Sequence, residues 1–150
     1  MYYAHVGDSR GYIIFKNKIS QFTQDHSYVE TLVKAGAISE EEALTHPERN
    51  AITRAIGTRP ELVVDVSQRH LKIKKGQYIL LCSDGLYKVV SNEEIVNTVY
   101  EYQAPNLICE KLVEKANEHG GPDNITVILA RIDRTNRRTS LIHRVTDLLR

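Results

Sequence analysis

Tryptophan is absent from the 150 residues, methionine occurs once and cysteine only twice. Cys82 and Cys109 are too few and too widely spaced for a disulfide framework or a zinc site. Each is expected to be a small buried residue, one in a strand and one in a helix. No charge of one sign dominates: 20 Lys and Arg face 19 Asp and Glu, a formal net charge of +1. That removes any global argument for nucleic acid or for an acidic substrate. No apolar run approaches the length of a membrane span. The opening residues Met1-Tyr2-Tyr3-Ala4-His5 carry neither the basic nor the long apolar region of a signal peptide. With cysteine so sparse, the cytoplasm is the expected compartment. The six histidines are scattered, with no pair at zinc-ligand spacing on a recognisable helix. Internal repeats and low-complexity tracts are missing too. The length is enough for one domain with a real core.

The most informative stretch is 77–86, QYILLCSDGL. Tyr78, Ile79, Leu80 and Leu81 read as a buried strand, apolar without a break. Asp84 follows at once. A carboxylate there must be solvated, paired or metal-bound, because an isolated buried charge is very costly. Gly85 lets the backbone turn tightly or approach a ligand closely.

Before this stretch, 2–6 reads as a strand leading into the turn Gly7-Asp8-Ser9-Arg10. Residues 11–15 and 19–23 form strands joined by the turn Lys16-Asn17-Lys18. An N-terminus that opens directly on strand residues is unusual and suggests missing upstream chain. Ser27 with Glu30 has capping-box spacing, as do Ser39 with Glu42 and Ser91 with Glu94, so three helices start there. Gly36 ends the first helix and His46-Pro47 the second. Residues 48–57 are ambiguous between helix and strand. Residues 62–73 alternate imperfectly and are expected to be one bent strand, turning at Lys74-Lys75-Gly76 into a hairpin with 77–86. Residues 104–119 form the longest helix, with Leu107, Ile108, Leu112, Val113 and Ala116 as its core face. A β-branched strand, 124–132, closes the domain. Residues 133–150, with Arg134, Arg137, Arg138 and Arg144, form a basic tail or short helix. Strands, then helices, then strands, with hairpins dominating, predict an α+β domain with mostly antiparallel sheets.

Three aspartates lie in turns at strand ends: Asp8, Asp84 and Asp123 in Gly120-Gly121-Pro122-Asp123-Asn124. Taken singly, an Asp beside Gly is most often a turn former bonding its own backbone. Together, convergent carboxylates repel unless a cation sits among them. Oxygen-only donors select hard metals such as magnesium or manganese. Two such ions can share and activate a water for attack on phosphorus. Cys82 has no evident His-Asp partner and reads as a core thiol. Ser9 and Ser83 lack a nucleophile elbow, and Ser83 is expected to shape the Asp84 turn. A metal-dependent nuclease is disfavoured, since nothing basic and aromatic lines up as a nucleic-acid surface.

The strings AHVGDSRGYI, TQDHSYVETLVKAGAISEEEALTHPERNAITRAIG, LLCSDGL and GGPDNITVI resemble, in order and spacing, the metal-dependent protein phosphatases of the 2C (PPM) type, bacterial branch. The resemblance covers residues 3–132. It implies an antiparallel β-sandwich flanked by helices, with a metal centre at one end. It implies hydrolysis of phosphoserine and phosphothreonine by a metal-activated water, with two core magnesium or manganese ions and a third. Asp84 and Asp123 match core ligands, Asp8 matches a third site, and Asn50 falls where a flap ligand of that site can lie. Ser83, Gly85 and Asn124 support these turns, and residues 27–59 match a helical flap. Phosphoproteins and a cognate serine/threonine kinase are the implied partners, without nucleic acid or a membrane segment.

The family pattern also has a DGMGG-like turn, an earlier acidic residue and a phosphate-binding arginine ahead of the GDSR strand. No DGxGG string occurs in this sequence. The expectation is therefore an N-terminally truncated domain, residues 1–132, followed by the tail 133–150. It would hold about half the carboxylates of the two-metal site and have little or no activity. The alternative is a non-catalytic regulatory or binding module. Strand edges and apolar faces are expected to be open.

Overall fold

The computed structural model describes residues 1–58 and 60–134. In chain order the elements are β1 (Ala4–His5), β2 (Arg10–Phe15), β3 (Lys18–Gln21), α1 (Tyr28–Lys34), α2 (Glu40–Thr45), β4 (Asp65–Val66), β5 (Tyr78–Cys82), α3 (Asp84–Tyr87), α4 (Asn92–Glu101), α5 (Pro105–Glu118) and β6 (Val127–Arg131). Among the described residues two sheets form, a four-stranded one in the order β3-β2-β5-β6 and a two-stranded one of β1 and β4. All the pairings are antiparallel. The expected α+β architecture of antiparallel sheets flanked by helices is present.

Alternation along the strands decides where the core lies. Tyr12 pairs with Leu80, Ile14 with Tyr78 and Arg10 with Cys82, so every second residue points the same way. Tyr12, Ile14, Tyr78, Leu80 and Cys82 are buried against Leu86 and Val90, Ile95 and Val99 of α4, and Ile108, Leu112 and Ala116 of α5. Each fully buried aliphatic side chain of this set contributes about 2 kcal/mol. The opposite face is covered only in part, since Ile79 on it is buried. Leu81, expected to be buried, is 43% exposed, and Ile128 beside it is 58% exposed. They lie on the side of the sheet that no helix covers among the described residues.

The turns follow from local chemistry. Lys16 and Asn17 both take positive φ, 51° and 58°, between the paired Phe15 and Lys18. This is the two-residue hairpin loop whose twist suits flanking strands. Full capping boxes start α2 at Ser39 and α4 at Ser91. At α1 only half of the expected box forms. Ser27 accepts from the Glu30 N–H, while Glu30 accepts from the Gln24 side chain.

Residues 62–73 are not one strand. Only Asp65–Val66 pairs, and its partner is β1. The expected hairpin with β5 is impossible because β5 already has β2 on one side and β6 on the other. The Gly76 turn instead hands the chain between sheets, with the Gly76 N–H donating to the Ile132 carbonyl at 2.8 Å. Residues 48–57 are neither helix nor strand, apart from an isolated bridge between Ser27 and Ile52. The expected tail falls, from residue 135 onward, outside the described residues.

Candidate metal centre

Asp84 does not lie in a loop. It is the first residue of α3, with Ser83 as the cap residue in extended conformation. A helix of four residues leaves no periodicity in sequence, so nothing local announced it. Ser83 pins this end of the sheet to the segment that follows Asp123. Its Oγ donates to the Asn124 carbonyl at 3.0 Å and accepts from the Thr126 N–H at 2.9 Å. Gly85 lies against the same segment. A Cβ there would meet the Asn124 carbonyl carbon at 2.9 Å and the Asp123 carbonyl oxygen at 3.3 Å. Asp84 and Asp123 are thus brought together by a backbone approach that only glycine permits.

The turn that carries Asp8 is held by His26. The Gly7 N–H donates to His26 Nδ1 at 3.1 Å, and the Gly7 carbonyl accepts from the His26 N–H at 2.8 Å. His26 Nε2 lies 3.0 Å from Asp65 Oδ2, and Arg54 Nη1 donates to Asp65 Oδ1 at 2.8 Å. With Nδ1 accepting, the ring proton belongs on Nε2, facing the carboxylate. The hydrogen bonds from His26, then from Arg54, hold the Asp65 carboxyl below its ordinary range. This chain of contacts joins β4, the start of α1 and the Gly7-Asp8 turn.

Sequence reasoning assigned no role to Arg10, Asp25, Tyr87 or Lys88. Arg10 donates from Nε and Nη2 to Asp25, at 2.8 Å for Nη2, and its guanidinium stacks 3.8 Å from the Tyr87 ring centroid. It thereby ties β2 to α3 and to the residue before His26. The partners are 15 and 77 positions away from Arg10, so only the fold pairs them. Burial, with Asp8 and Asp25 adding to it, drives the Tyr87 hydroxyl far above its ordinary range, so it remains neutral.

A cavity of about 730 Å³ opens here, lined by Asp8, Arg10, Asp25, Asn50, Gly85, Lys88 and Asp123 among others. Asp84 reaches it through Lys88. Lys88 Nζ donates to Asp84 Oδ2 at 2.7 Å and to Asn50 Oδ1 at 3.0 Å. Asp123 Oδ1 accepts from the Asn124 N–H at 2.7 Å, the local bond of a turn former. The donors are of the right kind for a hard divalent ion. They are too few and partly engaged: among the described residues no three acidic, histidine or cysteine side chains gather closely enough to hold a metal. The described residues supply only part of such a centre.

Cys82 is part of the core, not of the cavity. Burial pushes its thiol up to about 12, partly opposed by Arg10. In a Cys109→Ser variant, Cys82 should react with a disulfide reagent at pH 8 about a thousandfold more slowly than free cysteine. Rapid labelling of the folded protein would contradict its placement.

The family model for protein phosphatase 2C matches residues 49–125. Protein phosphatase PhpP of Streptococcus pneumoniae is 43% identical over 127 residues, covering 85% of this chain and 51% of the relative. A serine/threonine phosphatase structure from S. agalactiae superposes with a TM-score of 0.83 at 39% identity, covering 88% of this chain and 54% of that one. A third, the catalytic domain of the serine/threonine protein phosphatase PstP in complex with two manganese ions, has a TM-score of 0.71 at 35% identity, covering 89% and 54%. The chain spans about half the length of the curated relatives it matches, apart from a longer one of which it covers 24%.

Proposed function

Because this chain belongs to the protein phosphatase 2C family, we propose that it is one portion of a serine/threonine phosphatase domain, carrying part of its metal centre. Asp84 and Asp123 contribute to the sites of two core magnesium or manganese ions, and Asp8, with Asn50, to a third. Ser83, Gly85 and Asn124 hold the two core turns in register. Further carboxylates from outside this chain complete the set. Residues 1–132 make up the phosphatase portion and 133–150 a tail. The substrates are phosphoserine and phosphothreonine proteins, with a serine/threonine kinase acting on the same residues as partner, in the cytoplasm. Among the described residues no helix is long and apolar enough to cross a membrane.

The observation that carries this reading is the shared cavity. Asp8, Asn50 and Asp123, from three separate stretches of sequence, line one space with Gly85, the neighbour of Asp84. Carboxylates that line one space repel unless cations lie among them, a role a divalent ion would share with Arg10 and Lys88. The competing reading, a non-catalytic module, draws support from the ion pair between Lys88 and Asp84, which leaves that carboxylate engaged without metal. Fusing the preceding half of S. pneumoniae PhpP to this chain separates the two. The phosphatase reading expects manganese-dependent hydrolysis of a phosphothreonine peptide over a phosphotyrosine one. A folded but inert fusion supports the binding module.

A further inference from the structure

Lys88 is the C-cap residue of α3, four residues after Asp84, so one helical turn brings its side chain back over the carboxylate. Its ammonium does more than pair with a neighbour. It bridges Asp84 Oδ2 at 2.7 Å and Asn50 Oδ1 at 3.0 Å, two oxygens 34 positions apart in sequence that the cavity brings together. Both partners are oxygen donors of the kind a hard divalent ion uses. The pair is partly shielded, with 35% of the Lys88 side chain and 23% of the Asp84 side chain exposed. Water therefore screens the ammonium less than it would on an open surface.

We propose that Lys88 is a resident cation at Asp84, standing where a divalent ion would bind, so that metal enters this position only by displacing the ammonium. This rests on the reading of Asp84 as a metal ligand. An ammonium and a divalent ion on the same carboxylate oxygen repel one another, so each weakens the hold of the other. The lysine thus neutralises the carboxylate when metal is scarce and sets a threshold concentration for loading. It also holds the Asn50 side chain, so loading at Asp84 releases that amide oxygen.

The test is a manganese titration of the whole chain, followed by electron paramagnetic resonance of the free ion, with thermal melting in parallel. Lys88→Gln should bind manganese about tenfold more tightly than the wild type, the scale on which neighbours of ligands tune affinity. Adding Asp84→Asn to it should abolish that gain. If Lys88→Gln lowers the melting temperature but leaves affinity unchanged, while Asp84→Asn alone weakens binding, the lysine is only a structural pair. The proposal then fails and the ligand role of Asp84 stands. If no variant differs from wild type, or none binds at millimolar manganese, both fail.

Discussion

Hydrolysis of a phosphothreonine peptide by this chain alone, in excess manganese, should run at least about a hundredfold slower than by a complete relative such as PhpP. The reason lies in what its own side chains are doing. Asp84 is paired with Lys88 at 2.7 Å, Asp123 caps its own backbone, and no three metal-binding side chains converge among the described residues. Altering one group that merely supports a ligand costs ten- to a hundredfold in metal affinity. A site short of its ligands loses more. Turnover equal to that of the relative would mean that a complete centre forms from residues given no such role here.

Gly85→Ala should lower stability by about 2 kcal/mol and the melting temperature by roughly 4–8 °C. Two effects compete. Alanine is the better helix former, by up to about 1 kcal/mol, and Gly85 lies in α3 at a φ that any residue accepts. Against that, the added methyl group would meet the Asn124 carbonyl carbon at 2.9 Å and overlap its oxygen. The obstacle is backbone, not the end of a flexible side chain, so it cannot swing aside. The Ser83 hydroxyl holds that segment in place through Asn124 and Thr126. Steric cost therefore exceeds propensity gain, and relief comes only by moving Asp84 and Asp123 apart. Thermal unfolding followed by circular dichroism measures the first effect. An unchanged melting temperature would show that the two turns are less closely packed than described.

Local signals explain what the sequence made legible. The unbroken apolar run at Tyr78, Ile79, Leu80 and Leu81 marked β5 as a core strand, and the serine-to-glutamate spacings marked α2 and α4. The turn at Asn17 and the stop at Gly36 need backbone conformations that residue type announces. What failed was non-local. The apolar pattern of 62–73 gave no hint that only two of its residues would pair, or that their partner lies some sixty positions back in β1. Leu81 looks like its neighbours in sequence, yet it points to the face of the sheet away from α4 and α5. In the candidate site the aspartates were visible because each adjoins a turn signal. The bidentate Arg10–Asp25 pair, the His26–Asp65–Arg54 chain and the Lys88 bridge were not. Each joins residues that are neighbours only after folding.

The central claim is that Asp84 is a working ligand in a phosphatase centre that this chain only partly supplies. The direct measurement is manganese-dependent hydrolysis of a phosphothreonine peptide by the PhpP fusion, with and without Asp84→Asn. The account predicts turnover by the fusion and a loss of at least about a hundredfold in the variant, with the melting temperature preserved. An Asp84→Asn fusion as active as its parent would contradict it.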